Sequence, residues 1–134
     1  MFCLDTNIVI FATSKRQPRV AARLDAELAL GTPIIMPAIV LFELRYGIAK
    51  SDLAEKSLAE LTQFLAAAIC VVHFNAETAA DIRAHLERAG TPIGPYDLLI
   101  AAQARRRGAV LVTLNRRKFD RVPGLMVTDW GGMG

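Results

Sequence analysis

Phe2-Cys-Leu-Asp-Thr-Asn-Ile-Val-Ile-Phe11 decides the fold, because this apolar run is broken by one acid, Asp5, just where a short buried strand would end. Four further strand-like runs follow, at Ile34 to Met36, Ile69 to Phe74, Val110 to Thr113 and Leu125 to Thr128, and helical patterns separate them. That alternation implies a central parallel sheet of about five strands covered by helices, an α/β domain. Pro18 opens a helical segment to about Leu30, closed by Gly31, and Pro37 opens another to about Ala49. Ser51 can cap a helix to about Ala68 and Asn75 one to Ala89, while Pro95 opens a last helix that runs to Arg107 and stops at Gly108. Parallel α/β sheets build their sites at the carboxyl ends of the strands, and Asp5 is placed there.

The 134 residues, 53% of them hydrophobic, suffice for one buried core, so residues 1–134 are expected to form a single domain. No apolar stretch approaches the ~20 residues of a membrane span, and no basic start precedes the first apolar run, so the expected location is the cytoplasm. Cys3 and Cys70 match no metal-ligand spacing and are expected to be two reduced core thiols. The net charge of +3 is uneven: Arg105, Arg106, Arg107, Arg116, Arg117, Lys118 and Arg121 face Asp120 alone in one segment, a local +6 that leaves −3 elsewhere. Such a segment favours a polyanion such as nucleic acid, although Arg105 to Arg107 also suit the end of a helix, where cations complement the dipole. Leu58, Leu61, Phe64 and Leu65 lie at helical spacing, either as core or as half of a clamp with the helix carrying Leu24 and Leu28, with a groove for a partner peptide or second subunit.

Two more acids share Asp5's apolar setting: Glu43 in Ala38-Ile-Val-Leu-Phe-Glu-Leu44 and Asp97 in Tyr96-Asp-Leu-Leu-Ile-Ala-Ala102. Burying an unpaired carboxylate costs several kcal/mol, so three of them point to a cation. Each has a competing explanation. Asp5 can cap a strand-to-helix turn. Asp97 would stand in the first turn of a helix, where exposed N–H groups favour an acid. Glu43 is mid-helix and cannot cap; it would need a distant arginine, since Arg45, two residues on, points to another face. If the acids act together, hard ions such as Mg²⁺ or Mn²⁺ suit them, taking oxygen ligands, water and a substrate phosphate, and can activate water for attack on a phosphodiester. An aspartate-nucleophile phosphatase also begins with an acid after its first strand, but the second aspartate it needs two residues on is Asn7 here.

With these motifs in place, the chain resembles the PIN-domain ribonucleases, and more closely the VapC-type toxins of bacterial toxin–antitoxin modules. Four stretches carry the likeness: Leu4-Asp-Thr-Asn7, Phe42-Glu-Leu-Arg-Tyr-Gly-Ile-Ala-Lys-Ser51, Gly94-Pro-Tyr-Asp-Leu-Leu-Ile-Ala-Ala102, and Arg121-Val-Pro-Gly-Leu125 with Asp129-Trp130. The resemblance implies a PIN-like α/β/α sandwich and a Mg²⁺- or Mn²⁺-dependent endoribonuclease with Asp5, Glu43 and Asp97 as metal ligands. It places Thr113 and Asn115 at the pocket rim, Asn115 positioning water or phosphate, and leaves Arg105, Arg106, Arg116, Arg117 and Lys118 to hold the RNA backbone. It further implies a homodimer and a cognate antitoxin that blocks the site with an inserted segment. One departure stands out: family members often read Thr-Asn-Asn-x-x-Glu/Asp-Phe, where this chain reads Thr113-Leu-Asn-Arg-Arg-Lys-Phe119. With Lys118 in place of an acid, one firmly held ion is expected rather than two. The alternative function is a non-catalytic RNA-binding or regulatory module in which the acids are caps and ion pairs.

Overall fold

In the computed structural model, which describes residues 1–14 and 16–131, five parallel strands form one sheet in the order β3-β2-β1-β4-β5. They are β1 (Phe2–Leu4), β2 (Ile34–Pro37), β3 (Ile69–Val72), β4 (Val110–Val112) and β5 (Met126–Thr128). The helices are α1 (Thr6–Ser14), α2 (Pro18–Ala29), α3 (Ala38–Ala49), α4 (Ala54–Ala66), α5 (Ala76–Arg88), α6 (Pro95–Arg106) and the short α7 (Arg116–Phe119). Helices α1 to α4 pack on one another and α5 packs on α6. Such a division follows when a chain winds outwards from β1 to β3 and returns to β4 across the other face. The α/β sandwich with five parallel strands expected from the sequence is the observed fold.

The core lies where the central strands meet α6. Cys3, Leu4, Met36, Leu111 and Val112 are inaccessible to solvent, and so are Ala101, Ala102 and Ala104, whose small side chains let the helix approach the sheet closely. Both thiols are free, but only Cys3 belongs to the core: β3 is an edge strand, and Cys70 faces out from it. Asn75 caps α5 as expected, its Oδ1 accepting the Thr78 N–H at 2.9 Å. Ser51 does not cap α4; its hydroxyl accepts the Leu53 N–H in a turn before a helix that starts at Ala54.

Two helices escaped the sequence pattern. The β-branched run Ile8-Val9-Ile10 looks like strand, yet α1 forms because Asp5 turns the chain, its carbonyl accepting the Val9 N–H at 3.3 Å. At its far end the Thr13 and Ser14 hydroxyls donate back to the carbonyls of Val9 and Ile10, as these residues do in helices. Helix α7 is one turn of Arg116-Arg-Lys-Phe119, too short for periodicity to show, and it is pinned by the fully buried Phe119 ring. Phe119→Ala should therefore cost about 3–5 kcal/mol in chemical denaturation. Phe119→Leu should cost much less, since it keeps most of the buried volume.

Candidate active site

The strand order reverses between β1 and β4, and ligands of open α/β sheets bind outside the carboxyl ends of the strands at such a reversal. Asp5 follows β1 at this point and Thr113 follows β4. Asp5 is 7% exposed. Its Oδ1 accepts the Thr6 N–H at 2.8 Å and its Oδ2 accepts the Thr113 hydroxyl at 2.7 Å. Burial pushes the Asp5 carboxyl above the usual range; the two hydrogen bonds oppose this, the Asp97 charge adds to it, and Lys118 offsets it. The capping role foreseen as an alternative is thus real, but it does not remove the cost of a buried anion.

Thr6 joins Asp5 to the second acid, since its hydroxyl donates to Glu43 Oε1 at 3.0 Å. Glu43 reaches the pocket from the middle of α3 and is only partly buried. Asp97 occupies the third position of α6, where Gly94 and Pro95 start the helix without a side-chain cap. A Cβ on Gly94 would lie 3.2 Å from Asp97 Oδ2, so the glycine leaves the carboxylate its space. The same Oδ2 accepts from Lys118 Nζ at 2.8 Å, with the two side chains 28% and 25% exposed. Of the three acids expected to be buried, only Asp5 is; Glu43 and Asp97 lie at the pocket mouth.

The fully buried Thr113 hydroxyl also accepts the Asn115 N–H at 3.1 Å, and so fixes the turn into α7. The Asn115 side chain makes no cap for that helix and is exposed at the rim. The sequence marked Thr113 only as a rim residue and gave Thr6 no role. The signal available for both was a hydroxyl next to a site acid or at the end of the facing strand.

The basic segment divides. Arg116, Arg117 and Lys118 lie on α7, from which Lys118 reaches Asp97, and both arginines are exposed. Arg105 and Arg106 end α6, whose start carries Asp97, so eight residues of helix put Arg105 about 12 Å further along the axis. Arg105 moreover donates to the Pro123 carbonyl at 3.2 Å and Arg121 to that of Pro92 at 3.3 Å, where they tie loops down. The structure therefore does not bring Arg105 and Arg106 to the acid pocket, because a helix carries its two ends to opposite places.

The donor set is all oxygen and hard, as Mg²⁺ or Mn²⁺ prefers. Among the described residues, however, no three His, Cys, Asp or Glu side chains are grouped closely enough to hold one ion. A cage built from the three carboxylates alone is not formed, and a lysine ammonium already touches one of them. The arrangement fits an ion that keeps several waters and takes one or two carboxylates plus a substrate phosphate.

An α/β sheet of this topology, with an acid after β1, one on α3 and one at the start of α6, defines a class, and the comparisons agree: residues 2–125 match the PIN domain, and the chain belongs to that family. It is similar to a "tRNA(fMet)-specific endonuclease VapC" of Shigella flexneri, at 39% identity over 96% of this chain and 97% of that protein. It is also similar to "Ribonuclease VapC2" of Rickettsia felis, at 36% identity over 97% and 98%. Among solved structures, VapBC2 from Rickettsia felis bound to promoter DNA superimposes with a TM-score of 0.86 at 34% identity, covering 95% of this chain and 96% of that one. DNA-bound VapBC from Salmonella typhimurium gives 0.85 at 37%, covering 96% and 97%.

The raised Asp5 pKa has a signed consequence. The native state holds that proton more tightly than the unfolded chain, so Asp5 lowers stability as pH rises from the ordinary carboxylate range through its elevated pKa. In metal-free buffer, Asp5→Asn should remove this fall, and its melting temperature at pH 7 should equal or exceed that of the wild type. A mutant less stable at every pH would show that the charge itself supports the fold.

Proposed function

We propose that this pocket hydrolyses RNA phosphodiester bonds with one Mg²⁺ or Mn²⁺, and that the chain is the toxin of a toxin–antitoxin pair. The observation that carries the reading is Asp5, a buried anion held rigid at the β1/β4 reversal by two donors and still short of positive charge. Asp5, Glu43 and Asp97 carry three negative charges and Lys118 returns one, so the remaining two match one divalent ion. When bound, that ion supplies Lewis acidity and lowers the pKa of a water ligand. Thr6 and Thr113 keep the carboxylates aimed, and Asn115 offers its amide at the rim. Lys118 exchanges Asp97 for a phosphate oxygen as substrate enters, and Arg116 and Arg117 grip the neighbouring backbone. The endonuclease and ribonuclease names of the relatives support this assignment.

The partner is a cognate antitoxin, as in the VapBC complexes whose toxin fold this chain shares. Two grooves of mixed polar and apolar lining flank α4. One, of about 500 Å³ between α1, α3 and α4, runs from Leu53 and Leu61 to Glu43 itself. The other, of about 320 Å³, lies between α2 and α4 at Leu24, Leu28 and Phe64. A peptide laid along the first would reach the acids and block them. No helix among the described residues is long and apolar enough to cross a membrane, and we assign the pair to the cytoplasm, with the toxin as a homodimer.

A second reading has one observation in its favour: the Lys118–Asp97 ion pair satisfies Asp97 without any metal, as a non-catalytic RNA-binding module would. Cleavage separates the two. Purified protein should cut RNA with Mn²⁺ or Mg²⁺, and Asp97→Asn should lower the rate at least a hundredfold with the circular dichroism spectrum unchanged; equal cutting by both proteins sinks the assignment. Lys118→Gln should tighten Mn²⁺ binding roughly tenfold, read by electron paramagnetic resonance, because a like charge beside the ion is removed. Unchanged affinity would mean that Lys118 does not share the ion's site.

A further inference from the structure

We infer that the cleft beside Glu43 is a stacking seat for one nucleotide flanking the scissile phosphate, with Phe42, Tyr46 and Tyr96 as its walls. The inference rests on the ribonuclease reading and deepens it. The cleft has a volume of about 370 Å³ and shares Thr6 and Glu43 with the acid pocket, so whatever fills it is a direct neighbour of the reacting group. That volume is near the lower end of the ~300–1,000 Å³ that holds small ligands; it suits one nucleotide and excludes a duplex.

Its walls have the chemistry of a base platform. Phe42, Tyr46 and Tyr96 line it and are 50%, 57% and 45% exposed, so three solvent-facing aromatic rings share one small cleft. Phe42 and Tyr96 meet edge to face, with centroids 5.8 Å apart at 80°, which fixes α3 against the start of α6 and holds the walls open. Lys50 Nζ lies 4.8 Å from the Tyr46 ring centroid, a cation at the mouth where the backbone phosphate of a stacked nucleotide would pass. Every nucleobase has a face that stacks on such rings, and a paired base cannot offer it.

Gly47 is compatible with the seat. It lies on α3 where this cleft meets the groove of about 500 Å³, and a Cβ there would meet no atom within 4 Å, so packing does not require glycine. Glycine in a helix interior costs roughly 0.5–1 kcal/mol relative to alanine, and the chain bears that cost at the junction of the two hollows. Phe42, Glu43, Tyr46, Gly47 and Lys50 fall on one side of α3 by helical spacing, so one helix presents catalytic acid, stacking ring, bare floor and cation together.

The probe is a mixed-sequence, unstructured oligoribonucleotide carrying 2-aminopurine, with the protein kept in chelator so that the RNA stays intact. Wild-type protein should quench the probe on binding, and quench it little when the RNA is annealed to its complement. Tyr46→Ala and Gly47→Leu should each lose most of the quenching and bind roughly tenfold more weakly, whereas Tyr46→Phe, which keeps the ring, should behave as wild type. Gly47→Leu should melt no lower than wild type, which separates a plugged cleft from a damaged fold. Cleft variants that bind and quench like wild type, in a protein that still cuts RNA with Mn²⁺, overturn the seat alone. A change in molar mass by light scattering in Tyr46→Ala with RNA binding intact also overturns it, in favour of a seam between copies. Wild-type protein that neither binds nor cuts RNA overturns the ribonuclease reading with it.

Discussion

The Asp5 carboxylate, held between the Thr6 N–H and the Thr113 hydroxyl, is the interaction on which the rest of the site depends. It ties the end of β1 to the end of β4, the two strands between which the sheet reverses. It starts α1, and through Thr6 it reaches Glu43 on α3. A buried anion is costly even with two hydrogen bonds, and here burial still dominates the proton affinity. The fold therefore keeps, where the sheet reverses, a group that would be more stable with a cation beside it. That tension is what a metal-assisted site requires: rigid geometry for the acids and a standing attraction for positive charge.

Lys118 supplies part of that charge from the chain itself. Its ammonium sits on Asp97 at the mouth of the pocket, and its position is set from behind by Phe119, which is buried completely. Helix α7 is thus a short arm whose hydrophobic end is fixed and whose Lys118 meets an acid. Helix α6 works over a longer span. Its first turn presents Asp97, its buried alanines lie on the sheet, and Arg105 at its end straps the Pro123 loop. A run of basic residues that looks uniform in the sequence is therefore divided, with Lys118 on a pocket acid and Arg105 and Arg121 holding loops.

The element pattern was readable where periodicity or a cap marks it. The five strands, the Asn75 cap and the Pro-opened helices α2 and α6 stand as the sequence implied. Helix α1 was hidden because Ile8-Val9-Ile10 has strand propensity, and the Asp5 turn overrides it. Helix α7, at four residues, spans barely one helical turn, too little for a repeat to show. The acids were visible because carboxylates interrupt apolar runs. Their partners were not, because a threonine hydroxyl carries no signal of where it will donate: Thr6 and Thr113 are ordinary turn residues until the sheet sets β1 beside β4. The even burial expected for the three acids also failed, since Phe42 and Tyr96, the residues just before Glu43 and Asp97, are themselves half exposed.

By itself the sequence determined the class of fold and the family and singled out three acids as candidates, because alternation, caps and charged interruptions are local properties that survive without coordinates. Only the tertiary structure decided which of these groups meet. Lys118 reaches Asp97 across 21 residues, Thr113 reaches Asp5 across 108, and Arg105 is carried away from both by the length of its own helix. The physical reason is that hydrogen bonds and ion pairs act over about 3 Å, and nothing along a chain records a distance that folding alone creates.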